Sequence, residues 1–333
     1  MQLEINIKNL SRISWNIILA SLFYLSPRFI GVFSFLLIPI ALSIILVTGY
    51  RYEVSKTLLS LLIINFLIIF LSYSEAISFF INLTIPSIIF LYFFKSDNNI
   101  SMNKLKKIIL YLILYAILIN IIIIILVHIK YFNQIAEKIV SNINEIFNSY
   151  INILKEKKVS QVKIDKLNDY RIMTIKILLS YYPSIIFINM LSYFGLNILL
   201  SLSIISKYII KKPKFIYILF LKVRDSFIWP FLISWSLVFL SFFIHNKLFS
   251  EILWNIAISI SFIYVLQGSI ILLHKLLFLK ISNFLKFIIL FITIEMIFNF
   301  FIVGIFVLLG IGLFDTWFDF RKISTLDDIE KLI

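Results

Sequence analysis

Ionisable and amide side chains are scarce in the long apolar stretches of the chain, and Glu295 is the clearest of them. It lies well inside the apolar run 285–313. A carboxyl group at the centre of a membrane helix costs on the order of 3 kcal/mol, so Glu295 needs a compensating partner. Asn299 follows four residues later on the same helical face. The pair could line a cavity for a ligand or a proton, or a protonated carboxyl could bond to Asn299 or to a neighbouring helix.

Two further amides, Asn255 and Gln267, lie in the preceding apolar run. Each could bridge two helices or could face the same cavity as Glu295. The candidate ligand site, a polar cavity, therefore comprises Glu295, Asn299, Asn255 and Gln267. Small residues also recur on one face of this run, which predicts close packing against another helix. These residues are Ala257, Ser261, Tyr264 and Gly268, at spacings of four, three and four.

The last apolar run ends in LGIGLFDTWFDFRK, residues 309–322. Its glycines thin the helix, its aromatic rings suit the headgroup level of a membrane, and its basic pair can reach lipid phosphates. None of this explains Asp315 and Asp319 unless they pair with Arg321 or cap a turn. We interpret the stretch as a membrane border that carries a structural Asp–Arg pair. The alternative is a functional site formed by Asp315, Asp319 and Arg321.

Patterns of catalytic and metal-binding proteins do not occur. The three histidines, His128, His245 and His274, are far apart in the sequence, and there is no cysteine. There is no zinc-binding H-E-x-x-H, no glycine-rich phosphate loop and no G-x-S-x-G elbow. The sequence therefore predicts no metal, no cofactor and no catalytic residue, and it disfavours an enzyme.

Composition assigns the chain to the membrane proteins. It is 61% hydrophobic and 14% charged, whereas soluble domains are nearer half apolar and a quarter charged. The run 108–127 is apolar on every face, which favours helices over the alternating strands of a barrel. Lys and Arg cluster at the edges of the apolar runs, so the net charge of +14 anchors helices rather than binding nucleic acid. We predict an all-α, polytopic transmembrane bundle of 8–9 helices.

The predicted spans follow one another along a single integral membrane domain, 1–333. They are 13–25, 29–49, 57–71, 76–94, 108–127, 176–205, 229–245, 252–273 and 285–313. Basic connections at 50–56, 95–107, 207–224 and 274–286 predict the inner side of the membrane. Connections 72–76 and 245–251 are less basic and are expected outside.

A polar segment, 128–174, separates the amino-terminal helices (13–127) from the carboxyl-terminal helices (175–322). Apolar residues in it recur at spacings of three and four, which predicts an amphipathic helix, and Ser160 is a plausible start for a second, short helix. We interpret the segment as a helix in the membrane interface; the alternative is a lid or docking arm. The stripe consists of Phe132, Ile135, Ile139, Ile143, Ile146, Tyr150 and Ile153.

Four stretches, in this order, resemble the YybS-like family of predicted bacterial membrane proteins, a domain of unknown function. They are SPRFIGVFSFLLIPIALSIILVTGYRYEVSK, the proline-led span and basic loop from YYPSIIFINM to KVRDSFIWP, WNIAISISFIYVLQGSIILLHKL, and LGIGLFDTWFDFRK. The resemblance implies a multi-pass protein of the bacterial cytoplasmic membrane. The amino-terminal half is also similar to the substrate-capturing subunits of energy-coupling-factor vitamin transporters, which implies binding of a small molecule for uptake.

The functional expectation is a non-enzymatic integral membrane protein that binds a small molecule for uptake. The alternative is a membrane scaffold or assembly partner without a small ligand. A lipid-modifying enzyme would require polar groups from several helices to converge near one membrane surface. Expected partners are the lipid bilayer, a small-molecule ligand and a membrane protein, but no nucleic acid.

Overall fold

The computed structural model describes residues 2–26, 37–52, 54–95, 102–126, 132–157, 159–206, 214–244 and 246–321, and these ranges contain helices and no strand. The α-helices in chain order are α1 Gln2–Leu25, α2 Ile38–Arg51, α3 Val54–Ile69, α4 Tyr73–Phe79, α5 Ile85–Lys95, α6 Met102–Leu126, α7 Phe132–Glu156, α8 Gln161–Ile205, α9 Ile228–Ser241, α10 Lys247–Phe278, α11 Asn283–Asn299 and α12 Phe301–Phe318. A π-helical turn, Phe80–Thr84, joins α4 to α5, and two 3₁₀ turns, Lys214–Phe220 and Asp225–Phe227, lie between α8 and α9.

Several helices suit a bilayer. Four are long and apolar enough to cross a membrane: Tyr73–Phe93, Met102–Ile122, Gln161–Ile205 and Lys247–Phe278. Shorter apolar helices accompany them within the described ranges. Large apolar side chains point outward, with Phe66, Phe70 and Phe306 at least 60% exposed, as expected where the surrounding solvent is lipid. The prediction of an all-α membrane helix bundle is confirmed.

The chain divides into two compact units. The first unit comprises Met1–Leu114, Met190–Asp225 and Tyr264–Ile333, and the second comprises Tyr115–Asn189 and Ser226–Ile263. Three helices, α6, α8 and α10, contribute residues to both. The division into a single membrane domain with three consecutive segments stays a prediction.

Small and polar residues bring the amino-terminal helices of the first unit together. Ala20 of α1 and Ala41 of α2 have no exposed surface. Asn16 donates from Nδ2 to Thr48 Oγ1 over 3.0 Å, which joins α1 to α2. Because few other groups in a bilayer could satisfy these atoms, such hydrogen bonds fix the partners of each helix.

The π-helical turn has a local cause in Pro86. Proline has no N–H, and its ring clashes with the carbonyl of the residue four positions earlier. Just before it, Ile85 donates its N–H to Phe80 O, five residues back. The wider turn inserts one residue and realigns the helix before the proline. Such π-helical turns occur frequently at functional sites.

The polar segment belongs to the second unit, where its apolar stripe is divided. Of its members, Ile143 is buried, whereas Ile146, Tyr150 and Ile153 are exposed. Ile151, which is not part of the predicted stripe, is also buried. The side chains of the earlier stripe residues lie outside the described residues. The predicted amphipathic helix is thus present as α7, and its surface is only partly covered.

The second helix of this segment begins after Ser160, as predicted, with Lys163 N–H donating to Ser160 O over 3.0 Å. It is not short, however, because α8 continues for 45 residues to Ile205. Arg171 of α8 donates to Asn148 Oδ1 of α7 over 3.3 Å. The two helices are therefore connected beyond their shared turn.

The prediction of one helix across 285–313 is wrong, since α11 ends at Asn299 and α12 begins at Phe301. Asn299 Nδ2 donates to Glu295 O over 3.0 Å. Asparagine side chains compete in this way with the helical N–H for the carbonyl four residues earlier. A new helix starts after the break, with Gly304 N–H donating to Phe300 O. Glu295 consequently lies about one turn from a helix end rather than in mid-helix.

Candidate functional site

A buried group of polar side chains, which we call the carboxyl-terminal cluster, consists of Gln267, Asp315 and Arg321 of the first unit. All three residues are at most 5% exposed. Asp319 ends α12 in the left-handed region, with φ 38°, a conformation that aspartate tolerates better than most residues. Phe320 N–H then donates to Asp315 Oδ1 over 2.9 Å. The chain reverses, and Arg321 returns over the helix that it has just left.

The reversal completes a buried ion pair. Arg321 Nη2 lies 2.7 Å from Asp315 Oδ2, and neither side chain has exposed surface. Gln267 Nε2 of α10 donates to the same oxygen over 2.9 Å. The Asp–Arg pair expected from the sequence is therefore present, and it includes the predicted residue Gln267.

The carboxyl-terminal cluster also satisfies a stretch of non-helical backbone. Arg321 Nη1 donates to Leu219 O over 3.1 Å and to Leu221 O. Gln267 Oε1 accepts the N–H of Val223 over 3.0 Å. Buried backbone groups without a helical partner need hydrogen bonds from elsewhere in the protein. The cluster supplies such bonds to the backbone of Leu219, Leu221 and Val223.

Asp319 Oδ1, at the end of α12, has no hydrogen-bond partner in the described part of the chain, and the same is true of two atoms beside the ion pair: His274 Nδ1 and Arg321 Nε. His274 is buried, with its ring 5.1 Å from that of Phe220 and 4.7 Å from that of Phe278. None of these three atoms is accessible from outside, because each exposes less than 1 Å². They do not make this cluster an open binding site.

Glycines allow α10 and α12 to meet at backbone distance next to the cluster. A Cβ added to Gly312 would lie 2.0 Å from Tyr264 O, and one added to Gly268 would lie 2.0 Å from Leu308 O. Gly268 therefore packs closely, as the small-residue face predicted.

The other half of that face lies in the second unit and contacts α9. Ala257 is buried with Val238 and Leu253. Ser261 Oγ accepts a hydrogen bond from Trp235 Nε1 over 3.0 Å. This half of the small-residue face also packs against a helix.

Glu295 and Asn299 form a pair of their own. Asn299 Nδ2 donates to Glu295 Oε2 over 3.2 Å, and both side chains are exposed. No described hydrogen bond connects either of them with Gln267, although all three belong to the first unit. The partner that Glu295 was expected to need is thus its own neighbour in α11.

Asn255 bonds to the backbone of α8 beside its internal proline, within the second unit. Pro183 lies inside α8, which continues from Gln161 to Ile205. Asn255 Oδ1 accepts the Ser184 N–H over 3.0 Å, and Asn255 Nδ2 donates to Ser180 O over 2.8 Å. Asn120 Nδ2 donates to Pro183 O over 2.8 Å. The predicted residues thus fall into three separate hydrogen-bonded groups, and their common cavity stays a prediction.

Sequence reasoning missed a fourth group, which we call the amino-terminal network: Tyr24 of α1, Ser78 of α4 and Asn82 of the π-helical turn. Tyr24 OH and Ser78 Oγ share a short hydrogen bond. Asn82 Nδ2 donates to Tyr24 OH over 3.3 Å and to Ser78 Oγ over 3.2 Å. All three residues are half-buried, whereas the residues of the carboxyl-terminal cluster are buried.

A sequence signal for the network existed. Glu75, Ser78 and Asn82 follow one another at spacings of three and four, so they share one face of an otherwise apolar helix. The predicted span began at 76, which left Glu75 in a connection and hid the pattern. Tyr24 could not be added from the sequence, because its contact with Ser78 joins residues 54 positions apart.

Several residues singled out in the sequence, His128, His245 and Lys322, lie outside the described residues. Within the described ranges, no group of three or more His, Asp or Glu residues could hold a metal ion.

Comparison with known proteins shows the family of the chain. No curated protein and no solved structure matches the chain. The model of a family described as "Predicted membrane protein (DUF2232)" matches residues 15–316, nearly the whole chain. This agrees with the YybS-like resemblance, whereas a similarity to energy-coupling-factor subunits is not among the matches. The chain therefore belongs to the DUF2232 family of predicted membrane proteins.

Proposed function

We propose that this protein is a non-enzymatic, multi-pass protein of the bacterial cytoplasmic membrane that binds a small molecule for uptake. The observation that carries the proposal is the amino-terminal network, which is half-buried and has unused hydrogen-bonding capacity. Its role as the binding site is part of the proposal.

The chemistry of the bilayer supports this assignment. Polar side chains within membrane helices are costly and usually serve a function or pair with one another. A few convergent polar groups in apolar surroundings are also the usual composition of a small-molecule site. Asn82 Oδ1 has no hydrogen-bond partner among the described residues, so the network keeps one unpaired acceptor. In the carboxyl-terminal cluster, by contrast, most polar side-chain atoms are hydrogen-bonded. The uptake step is supported only by the resemblance of the amino-terminal half to substrate-capturing subunits.

Thermal unfolding of the purified protein in detergent tests the proposal. A ligand at about 100 times its Kd adds about 2.7 kcal/mol to the free energy of unfolding. We expect one compound from a panel of vitamins, nucleotides and lipids to raise the unfolding temperature of the wild type but not that of Asn82→Leu. A panel without any effect, or an equal effect on both proteins, would contradict the proposal.

A membrane scaffold is the second candidate function, and it is favoured by the exposed part of the α7 stripe. Ile146, Tyr150 and Ile153 are between 47% and 68% exposed, and three neighbouring apolar side chains on one helix face suit a protein partner. A photo-crosslinking residue at Tyr150, compared with one at exposed Asn152, tests this in native membranes. Capture of a defined partner or of a second copy from position 150 alone would support the scaffold. Equal or absent crosslinking at both positions would count against it.

A further inference from the structure

We infer that the amino-terminal network selects a neutral polar molecule, one that presents a hydrogen-bond donor next to an acceptor, and that the ligand reaches it from the aqueous side along Glu75. This inference rests on the proposed function and specifies its ligand class and entry route.

The orientation of the Asn82 amide is the first step. One end of the amide faces Ser78 O over 3.0 Å. A backbone carbonyl can only accept a hydrogen bond, so this end must be the nitrogen. Because Nδ2 also faces Tyr24 OH and Ser78 Oγ, both of its hydrogens are engaged. The open end of the amide is Oδ1, which is an acceptor.

The hydroxyl groups supply the complementary donor. Tyr24 and Ser78 carry two hydroxyl hydrogens, and the bond between the two oxygens uses one of them. The other hydrogen has no acceptor among the described hydrogen bonds. The network thus offers one acceptor, Asn82 Oδ1, and one donor, from Tyr24 or Ser78. An amide, a hydroxyl group or a ring with adjacent N–H and C=O groups would satisfy both.

Hydrogen-bond matching disfavours the main competitor class. A carboxylate or a fully ionised phosphate presents acceptors only, so it would place its oxygens against Asn82 Oδ1. A neutral ligand with a donor next to an acceptor leaves neither open group unsatisfied.

Geometry gives the entry route. Ser72 and Ser74 at the start of α4 are polar and hydrogen-bonded to each other, and Glu75, Ser78 and Asn82 continue this polar row into the helix. Phe79, which is fully buried and edge-on to Tyr24 with centroids 5.4 Å apart, supplies an apolar wall. The π-helical turn at Asn82 widens the helix where the row ends.

The absence of cysteine from the chain allows a direct test with single-cysteine variants of the full-length protein in native membranes. Glu75→Cys keeps Tyr24, Ser78 and Asn82 and probes the polar row one helical turn before Ser78. Ile77→Cys is the matched control, since Ile77 is on the same helix and is 43% exposed on an apolar surface. The probe of access is a cationic, membrane-impermeant thiosulfonate. Because a charged probe enters lipid only at a high free-energy cost, we expect it to modify position 75 about tenfold faster than position 77. Equal rates would overturn the entry route.

Protection of Glu75→Cys then tests the ligand class. The neutral probes are nicotinamide, uracil, ribose and glycerol, and the anionic controls are nicotinate, orotate and inorganic phosphate. A neutral probe at about ten times its Kd should slow modification about tenfold, and its anionic counterpart should have no effect. Protection by an anionic probe alone would overturn the neutral class while leaving small-molecule binding intact. Access without protection by any probe would overturn the ligand class and would agree with a network that only holds α1 and α4 together.

Discussion

Arg321 and Asp315 form an ion pair of 2.7 Å with no exposed side-chain surface, and the same guanidinium group also satisfies the carbonyls of Leu219 and Leu221. The pair therefore balances two charges, and its guanidinium group also supplies hydrogen bonds to backbone carbonyls outside the α-helices. A residue with these contacts belongs to the scaffold of the first unit.

Replacing Arg321 by Met should strongly destabilise the protein. Breaking a buried ion pair costs about 3–5 kcal/mol, because the remaining charge is left without a partner. The control is Lys222→Met, which breaks the 3.1 Å pair between Lys222 and Asp225, whose side chains are 28% and 69% exposed. That change should cost less than about 1 kcal/mol. Unfolding temperatures in detergent compare the two variants, and similar losses would contradict the assigned role of Arg321.

Substitution of Gly312 tests the backbone contact between α10 and α12. A methyl group at this position would approach the Tyr264 carbonyl oxygen to 2.0 Å, so Gly312→Ala must move the helices apart. Overpacking of this kind costs about 1–3 kcal/mol. Gly310→Ala is the matched control, because, apart from its own stretch of helix, no heavy atom of the described residues lies within 4 Å of its added methyl group. The unfolding temperature should be lowered only by Gly312→Ala. An equal decrease in both variants would refute the close contact.

The role of Asn255 can be tested by a double-mutant cycle with Pro183. Asn255→Leu leaves the Ser184 N–H and the Ser180 carbonyl unpaired and should cost about 1–3 kcal/mol. In a Pro183→Ala background the helix can form that bond itself, so the same change should cost less than about 1 kcal/mol. The measurement is the free energy of unfolding of all four proteins. Additive effects would mean that Asn255 does not compensate for the proline.

Much of the fold follows from hydrophobicity and helix length alone. The apolar runs around 108–127 and 252–273 appear as α6 and α10. A run that is apolar on most faces suits a bilayer, and there a helix satisfies all its backbone hydrogen bonds internally. Helix ends were less accessible to prediction. The break at Phe300 lies within the apolar run 285–313, and hydropathy does not register it.

The candidate site was predictable only where its members lie close in the sequence. The Asp315–Arg321 pair and the Glu295–Asn299 pair are six and four residues apart, and both could be anticipated. The contact of Gln267 with Asp315, 48 residues away, requires knowledge of which helices are neighbours. The same limitation concealed Tyr24 as a partner of Ser78 and Asn82.

The structure changes the expectation for Glu295. Asn299 donates to both the carboxylate and the backbone carbonyl of Glu295, so removing the carboxylate leaves Asn299 with a partner. We expect Glu295→Leu and Glu295→Gln each to change the free energy of unfolding by less than about 1 kcal/mol, since no buried group becomes unsatisfied. A loss of activity in Glu295→Gln with unchanged thermal stability would instead support the ligand site proposed from the sequence.

The most direct test of small-molecule binding at the amino-terminal network is native mass spectrometry of the protein purified in mild detergent from its own membranes. The account predicts a bound neutral compound in the wild type that is absent from Asn82→Leu and retained in Asn299→Leu, a control with a matched change at an exposed asparagine. A wild-type spectrum without any bound compound, or one retained equally in both variants, would contradict it.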